Sequence, residues 1–208
     1  LNNFNRVGFI HIPKTAGRTI RNTLSDHGLY IPPKSRGRPK RGVKNTVHFH
    51  LEDYNLDNFD YFFATIRNPI DWLQSYYYFA GFHAQRSKIE LSVKKFKTFD
   101  DFIEGKGYNI LVQRFGVLTQ SEWVKDLPVE NLLRVENLQE DLDMFCEEHN
   151  LIKVKLKSTG VNASRNRKAK PKVKTIEKIM KVFKPDFDLI KKINQYRDVK
   201  NSIEVVYD

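Results

Sequence analysis

Apolar positions along this chain follow two rhythms, short unbroken or alternating runs and stretches repeating every three to four residues. Val7 to Ile12 is an apolar run short enough for a buried strand. A sharp turn follows at Pro13-Lys14-Thr15-Ala16-Gly17, then a helical stretch from Arg18 to about His27, with Gly28 as its C-terminal stop. Thr46 to Leu51 alternates as a strand does, with Val47, Phe49 and Leu51 on one face and His48 and His50 on the other. Asp60 to Ile66 is a continuous apolar run of the kind buried in a parallel sheet.

Pro69 suits the first position of a helix running through Phe79. Trp72, Tyr76 and Phe79 fall at helical spacing and are expected in the core. Residues 83–97 read as polar and irregular. Thr98-Phe-Asp-Asp101 opens another helix with an acid three residues after its cap, ending near Gly105. An apolar pattern covers Tyr108 to Phe115, Asn131 to Val135 forms a short strand, and a helix runs from about Leu138 to His149. Lys153 to Lys157 alternates and is expected as an edge strand. Helices follow over about Thr175 to Phe183 and again after Pro185. No internal repeat is visible. Strands alternating with helices predict an α/β fold, three layers around a central parallel sheet. In such folds ligands bind beyond the carboxyl ends of the strands, where Lys14, His50 and Arg67 fall in the pattern.

At 208 residues the chain suits a single domain spanning 1–208 with a sizeable core. Its formal net charge of +11 points to anionic partners. The charge is concentrated: Lys34 to Lys44 holds six basic residues and no acid, and Lys153 to Lys184 holds twelve against Glu177 alone. The first run lies in a Pro/Gly-containing loop over 28–45, and the second includes a basic loop over 158–174. The 28–45 loop lacks the interleaved aromatics expected of a nucleic-acid hook, so no nucleic-acid partner is expected. No apolar run approaches the ~20 residues needed to span a bilayer. Cys146 is the only cysteine, which excludes an intramolecular disulfide and argues against structural zinc. It lies in an apolar helical stretch, as a buried small hydrophobe. The lack of disulfides, with no leader pattern at the start of the sequence, leads to the expectation of a cytoplasmic, reducing setting. A leader or membrane anchor ahead of Leu1 is left open, as is the oligomeric state.

Strand, tight turn and helix over residues 7–27 is a layout that aims backbone N–H groups and a helix N-terminus at an anion. Lys14 adds a mobile positive charge, and Thr15 and Thr19 add hydroxyl donors. The nucleotide P-loop, G-x-x-x-x-G-K-[ST], does not match: no glycine pair precedes the lysine, which comes at the start of the turn.

His11-Ile-Pro-Lys-Thr-Ala-Gly-Arg-Thr19 instead resembles the phosphosulfate-binding loop of the sulfotransferases, closest to the carbohydrate group with the heparan sulfate 2-O- and 6-O-sulfotransferases. Thr65-Ile-Arg-Asn-Pro-Ile-Asp-Trp-Leu-Gln-Ser-Tyr-Tyr-Tyr-Phe79 resembles the 3′-phosphate motif of the same family. The resemblance implies a P-loop-like loop on a parallel sheet and 3′-phosphoadenosine 5′-phosphosulfate as donor, with no metal. The acceptor it implies is a hydroxyl on a carbohydrate. It assigns Lys14, Thr15, Ala16, Gly17, Arg18, Thr19 and Ile20 to the 5′-phosphosulfate, and Arg67 and Ser75 to the 3′-phosphate. A guanidinium that forks onto phosphate suits that last task.

In the 2-O-sulfotransferases a His-x-His segment precedes the 3′-phosphate strand, and the second histidine is the base. His48-Phe49-His50 resembles it, which points to His50, with His48 and Glu52 as alternatives. Imidazole suits proton removal near neutral pH. His11 is a poorer candidate because it precedes the turn. Arg134-Val-Glu-Asn-Leu138 resembles a further family segment and is read as structural. In Asn162 to Lys168, Arg165, Arg167 and Lys168 are the basic residues that the resemblance brings to the 3′-phosphate. Two other readings stay open: a nucleotide-dependent kinase with a divergent P-loop, and a non-enzymatic binder of polyanions or nucleic acid. The kinase reading lacks the glycines and a strand-end carboxylate for magnesium, and the binder reading predicts affinity that falls steeply with salt.

Overall fold

The computed structural model describes residues 6–29, 51, 54–83, 91–157 and 170–207. It is an α/β structure with a small parallel sheet and several helices, and its described residues form two compact units. The first unit takes in Leu1–Ile66, Val124–Thr159 and Lys191–Asp208, and the second Arg67–Trp123 and Gly160–Ile190.

The first unit carries the sheet. Strands β1 (Val7–Ile10), β2 (Tyr61–Ile66) and β3 (Leu132–Arg134) lie in the order β1-β2-β3, all parallel. The register sets Phe9 beside Phe63 and Thr65 beside Leu133. All four residues of β1 and the last four of β2 are buried, which is why both read as near-continuous apolar runs.

Helix α1 (Gly17–Asp26) contributes Ile20 and Leu24 to a core with Val7, Phe9, Phe63 and Leu133. Gly28, at φ +68°, ends α1, and the Leu29 N–H reaches back to the Leu24 carbonyl at 2.8 Å. Glycine takes this left-handed conformation without the Cβ penalty. Tyr54 donates its hydroxyl to the Phe9 carbonyl, and its ring meets those of Phe59 and Phe62 edge-on.

In the second unit, helix α2 (Pro69–His83) runs beyond the predicted end at Phe79. Trp72 and Tyr76 are buried as the spacing predicts, whereas Phe79 is only half-buried. Part of the stretch read as irregular is ordered: Ser92–Lys95 forms a 3-10 turn that buries Val93. The cap predicted at Thr98 is present. In helix α3 (Phe99–Glu104) the Asp101 N–H donates to Thr98 Oγ1 at 3.0 Å, and the Thr98 N–H donates to Asp101 Oδ2 at 3.1 Å. Helices α4 (Asn109–Phe115) and α5 (Gln120–Trp123) follow.

Back in the first unit, helix α6 (Leu138–Glu148) packs Leu142, Phe145 and Cys146 into the sheet core. The expected edge strand at 153–157 is absent. Val154 is buried and Leu156 half-buried, so the alternation is real, but the segment has no ladder. The Gln139 side chain takes a strand's place, donating to the Val154 carbonyl at 3.1 Å and accepting from the Leu156 N–H at 2.8 Å.

Helix α7 (Val173–Val182) belongs to the second unit. Asp100 of α3 accepts from the Lys172 N–H at 3.1 Å and from the Thr175 hydroxyl at 2.5 Å, bonds that hold its carboxyl below the usual range. Helix α8 (Lys184–Tyr207) starts in the second unit and ends in the first. Among the described residues no helix is long and apolar enough to cross a membrane.

Candidate functional site

In the first unit the chain leaves β1 through His11 and Ile12, both buried, and turns at Pro13 and Lys14. Lys14 has φ +69° and Ala16 φ +62°, two left-handed non-glycine residues separated only by Thr15. Each such residue costs about 1–2 kcal/mol and persists only where its surroundings over-determine it. Thr15 supplies that constraint. It is fully buried, and its hydroxyl donates to the Ile12 carbonyl at 2.8 Å and lies 2.9 Å from the Thr65 hydroxyl of β2. Thr65 Oγ1 in turn donates to the Thr15 carbonyl at 2.5 Å.

Gly17 is set by a different need. A Cβ there would lie 1.9 Å from the His11 ring, so the imidazole occupies the space a side chain would take. His11 stacks on Phe9 at 5.6 Å between ring centroids. This buries it as a spacer between strand and helix.

Ala16 is the N-cap of α1, which has no side-chain cap at that residue and no acidic residue in its first turn. Lys14 and Thr19 are half-buried and Arg18 is exposed. Ile20 stands apart from its neighbours in the motif: its side chain is in the core, and its N–H bonds the Ala16 carbonyl at 3.2 Å.

The second unit holds Arg67 and Ser75. Arg67 is half-buried and directly follows the last residue of β2. The side-chain amide of Gln120 clamps its main chain. Gln120 Oε1 accepts from the Arg67 N–H at 2.9 Å, and Gln120 Nε2 donates to the Arg67 carbonyl at 2.8 Å. Asn68 starts α2: its side chain accepts from the Ile70 N–H at 3.0 Å and its carbonyl from the Trp72 N–H at 2.8 Å. Ser75, in the second turn of α2, is buried.

Gln120 is itself fixed. Its N–H and that of Ser121 donate to the two oxygens of Asp186, at 3.1 and 2.8 Å. Asp186 is fully buried, and that burial pushes its carboxyl above the usual range, against the pull of these N–H donors.

Sequence reasoning passed over Gln120 and Asp186. A local signal for α5 was present in Thr119-Gln-Ser-Glu122, which forms a capping box: Glu122 Oε2 accepts from the Thr119 N–H at 2.9 Å and Thr119 Oγ1 from the Glu122 N–H at 3.3 Å. Nothing local joins Gln120 to Arg67, 53 residues earlier.

The other predicted residues, His48, His50, Arg165, Arg167 and Lys168, lie outside the described residues, as does Glu52. Arg134 is a structural residue in the first unit. Its guanidinium grips buried Asp141 at 2.9 and 2.7 Å, and its own N–H adds a third bond at 2.6 Å. Among the described residues no group of histidine, cysteine or acidic side chains could hold a metal ion. No protein-family model, no curated protein and no solved structure matches the chain.

Proposed function

We propose that the protein is a sulfotransferase that moves a sulfuryl group from 3′-phosphoadenosine 5′-phosphosulfate to a hydroxyl, on a carbohydrate acceptor. The observation that carries the reading is the turn at Lys14 to Gly17. The sign of φ alternates there, with Lys14 and Ala16 left-handed, and the turn opens into a helix with no side-chain cap and no acid in its first turn. Alternation of this kind turns successive N–H groups to one side, and a helix N-terminus adds partial positive charge. Both favour an anionic group, and half-buried Lys14 suits one as well.

On this reading the turn is a P-loop-like cradle, on one layer of a three-layer α/β arrangement. Its residues from Thr15 to Thr19 hold the 5′-phosphosulfate. Arg67 and Ser75 hold the 3′-phosphate, joined by Arg165, Arg167 and Lys168. His50 takes the proton of the acceptor hydroxyl, with His48 beside it in sequence. The acceptor oxygen bonds to sulfur as the bond from sulfur to the bridging phosphate oxygen breaks. Lys14 stabilises the negative charge left on that oxygen.

Calorimetric titration tests the cofactor. Binding of 3′-phosphoadenosine 5′-phosphate that adenosine 5′-phosphosulfate and ATP do not match, and that Arg67→Ala removes, is the expected result. Equal binding of ATP, or none of the three, sinks the reading. Lys14→Ala and His50→Ala then test the chemistry: folded variants that keep near wild-type transfer rates overturn these assignments.

A further inference from the structure

We infer that Gln120 is a positioning residue for Arg67, setting the main chain from which the guanidinium reaches a 3′-phosphate; this rests on the function proposed above. The parallel ladder of β2 ends at Ile66, opposite Arg134. Arg67 follows directly in the chain, and its N–H and carbonyl are both met by the Gln120 side chain. A primary amide carries the same donor and acceptor pair as a peptide group. Gln120 presents that pair to Arg67 at 2.9 and 2.8 Å, as a neighbouring strand would.

Two features suit Gln120 to this task. It is fully buried, so its amide has few alternative partners. Its backbone is also tethered, because Asp186 takes the N–H groups of Gln120 and Ser121 on separate oxygens. A long arginine side chain multiplies any error at its root, and a phosphate held by a guanidinium fork depends on the direction of approach. Fixing both main-chain polar groups of Arg67 removes the peptide rotation that would swing the fork. Asn68, which starts α2 through two bonds of its own, fixes the next residue along.

The test compares two probes on the full chain, 3′-phosphoadenosine 5′-phosphate and adenosine 5′-phosphate, which differ only in the 3′-phosphate. The readout is the ratio of their affinities. Wild type is expected to favour the first probe, and Arg67→Ala to abolish the preference. Gln120→Ala is expected to cut the preference about ten- to a hundredfold, the scale of a catalytic or binding group displaced by around an ångström, while affinity for the second probe stays near wild type. Gln120→Glu keeps the acceptor for the Arg67 N–H and loses the donor, so its preference falls between.

Added to Arg67→Ala, the Gln120→Ala change should leave the ratio where it is, because it acts through the arginine. A wild type without preference sinks the assignment of Arg67 to the 3′-phosphate, and with it the functional reading. A wild-type preference that Arg67→Ala removes but both Gln120 variants keep overturns the positioning role alone, as does an additive double variant. Failure of both Gln120 variants to fold makes the residue a structural one and also overturns the proposal.

Discussion

The hydroxyls of Thr15 and Thr65 lie 2.9 Å apart, across 50 residues of chain. This pair ties the turn after β1 to the end of β2. Thr65→Val keeps the shape and removes the donor to the Thr15 carbonyl. The residue whose carbonyl loses its partner is fully buried, and an unsatisfied acceptor in such a place costs about 1–3 kcal/mol. Urea denaturation should show a loss of that size, and binding of 3′-phosphoadenosine 5′-phosphate should weaken with it. Unchanged stability would mean that the turn keeps its left-handed residues without this pair.

Gly17→Ala is expected to fail for lack of space. The added methyl would meet the His11 ring at 1.9 Å, and overpacking of this kind costs about 1–3 kcal/mol. His11→Ala opens the space, so the double variant should be more stable than the sum of the two single losses predicts. Thermal melting of the four proteins in the cycle gives the coupling. Strict additivity would show that the ring is not what excludes a side chain at residue 17.

The features that could be read from sequence alone are those decided within a few residues. The capping box at Thr98 and the stop at Gly28 are local, and both are present where the sequence puts them. β1, the last four residues of β2, and Leu132 and Leu133 of β3 are buried, in apolar runs that need no partner to be recognised. The alternation at 153–157 reports burial correctly, but whether a strand forms depends on a ladder partner, and Gln139 took that role. The turn at 13–17 is legible from Pro13 and Gly17, yet its glycine is not left-handed. Lys14 and Ala16 take that conformation, and Gly17 leaves room for the His11 ring. The clamp of Gln120 on Arg67 joins residues far apart in the chain, and no periodicity records such a pairing.

Arg134 and Asp141 make a forked ion pair in the first unit. Two side-chain bonds and one main-chain bond meet a carboxylate that is fully buried. Arg134→Ala would leave that charge short of its main partner, with Arg197 Nε remaining at 3.8 Å. Breaking a buried pair from one side typically costs about 3–5 kcal/mol. Denaturation of Arg134→Ala should approach the lower end, given the nearby arginine, and Arg134→Lys should restore only part, because an ammonium cannot make the fork. A loss below about 1 kcal/mol, the level of an exposed pair, would contradict the arrangement.

Cys146 is expected to be inert in the folded protein. It is buried in the sheet core, and burial pushes its thiol up to about 11. Alkylation requires the thiolate. Maleimide labelling at neutral pH should therefore be slow in native buffer and fast in denaturant. Rapid labelling of the native protein would show that this part of the core opens readily.

His149 should make stability depend on pH near neutrality. Its Nε2 lies 3.0 Å from Asn131 Oδ1, and Asn131 is oriented by donating its own amide to the Phe62 carbonyl at 2.8 Å. An oxygen facing the ring requires an N–H on Nε2, which the neutral imidazole can supply. The ring packs against Tyr61 and Phe145, with centroids 4.2 and 4.6 Å away. Burial holds its pKa below the ordinary value of 6.5, against the opposing pull of Glu148 and Glu130. The unfolded chain therefore takes up a proton at a higher pH than the folded one. The contribution of His149 is complete above about pH 7 and is lost as pH falls through 6.5 towards the depressed folded value. His149→Phe keeps an aromatic ring there and removes the titration. Melting temperatures between pH 7.5 and 5.5 should fall more for wild type than for this variant, and comparing the two cancels the other histidines. Parallel curves would show that His149 titrates alike in the folded and unfolded chain.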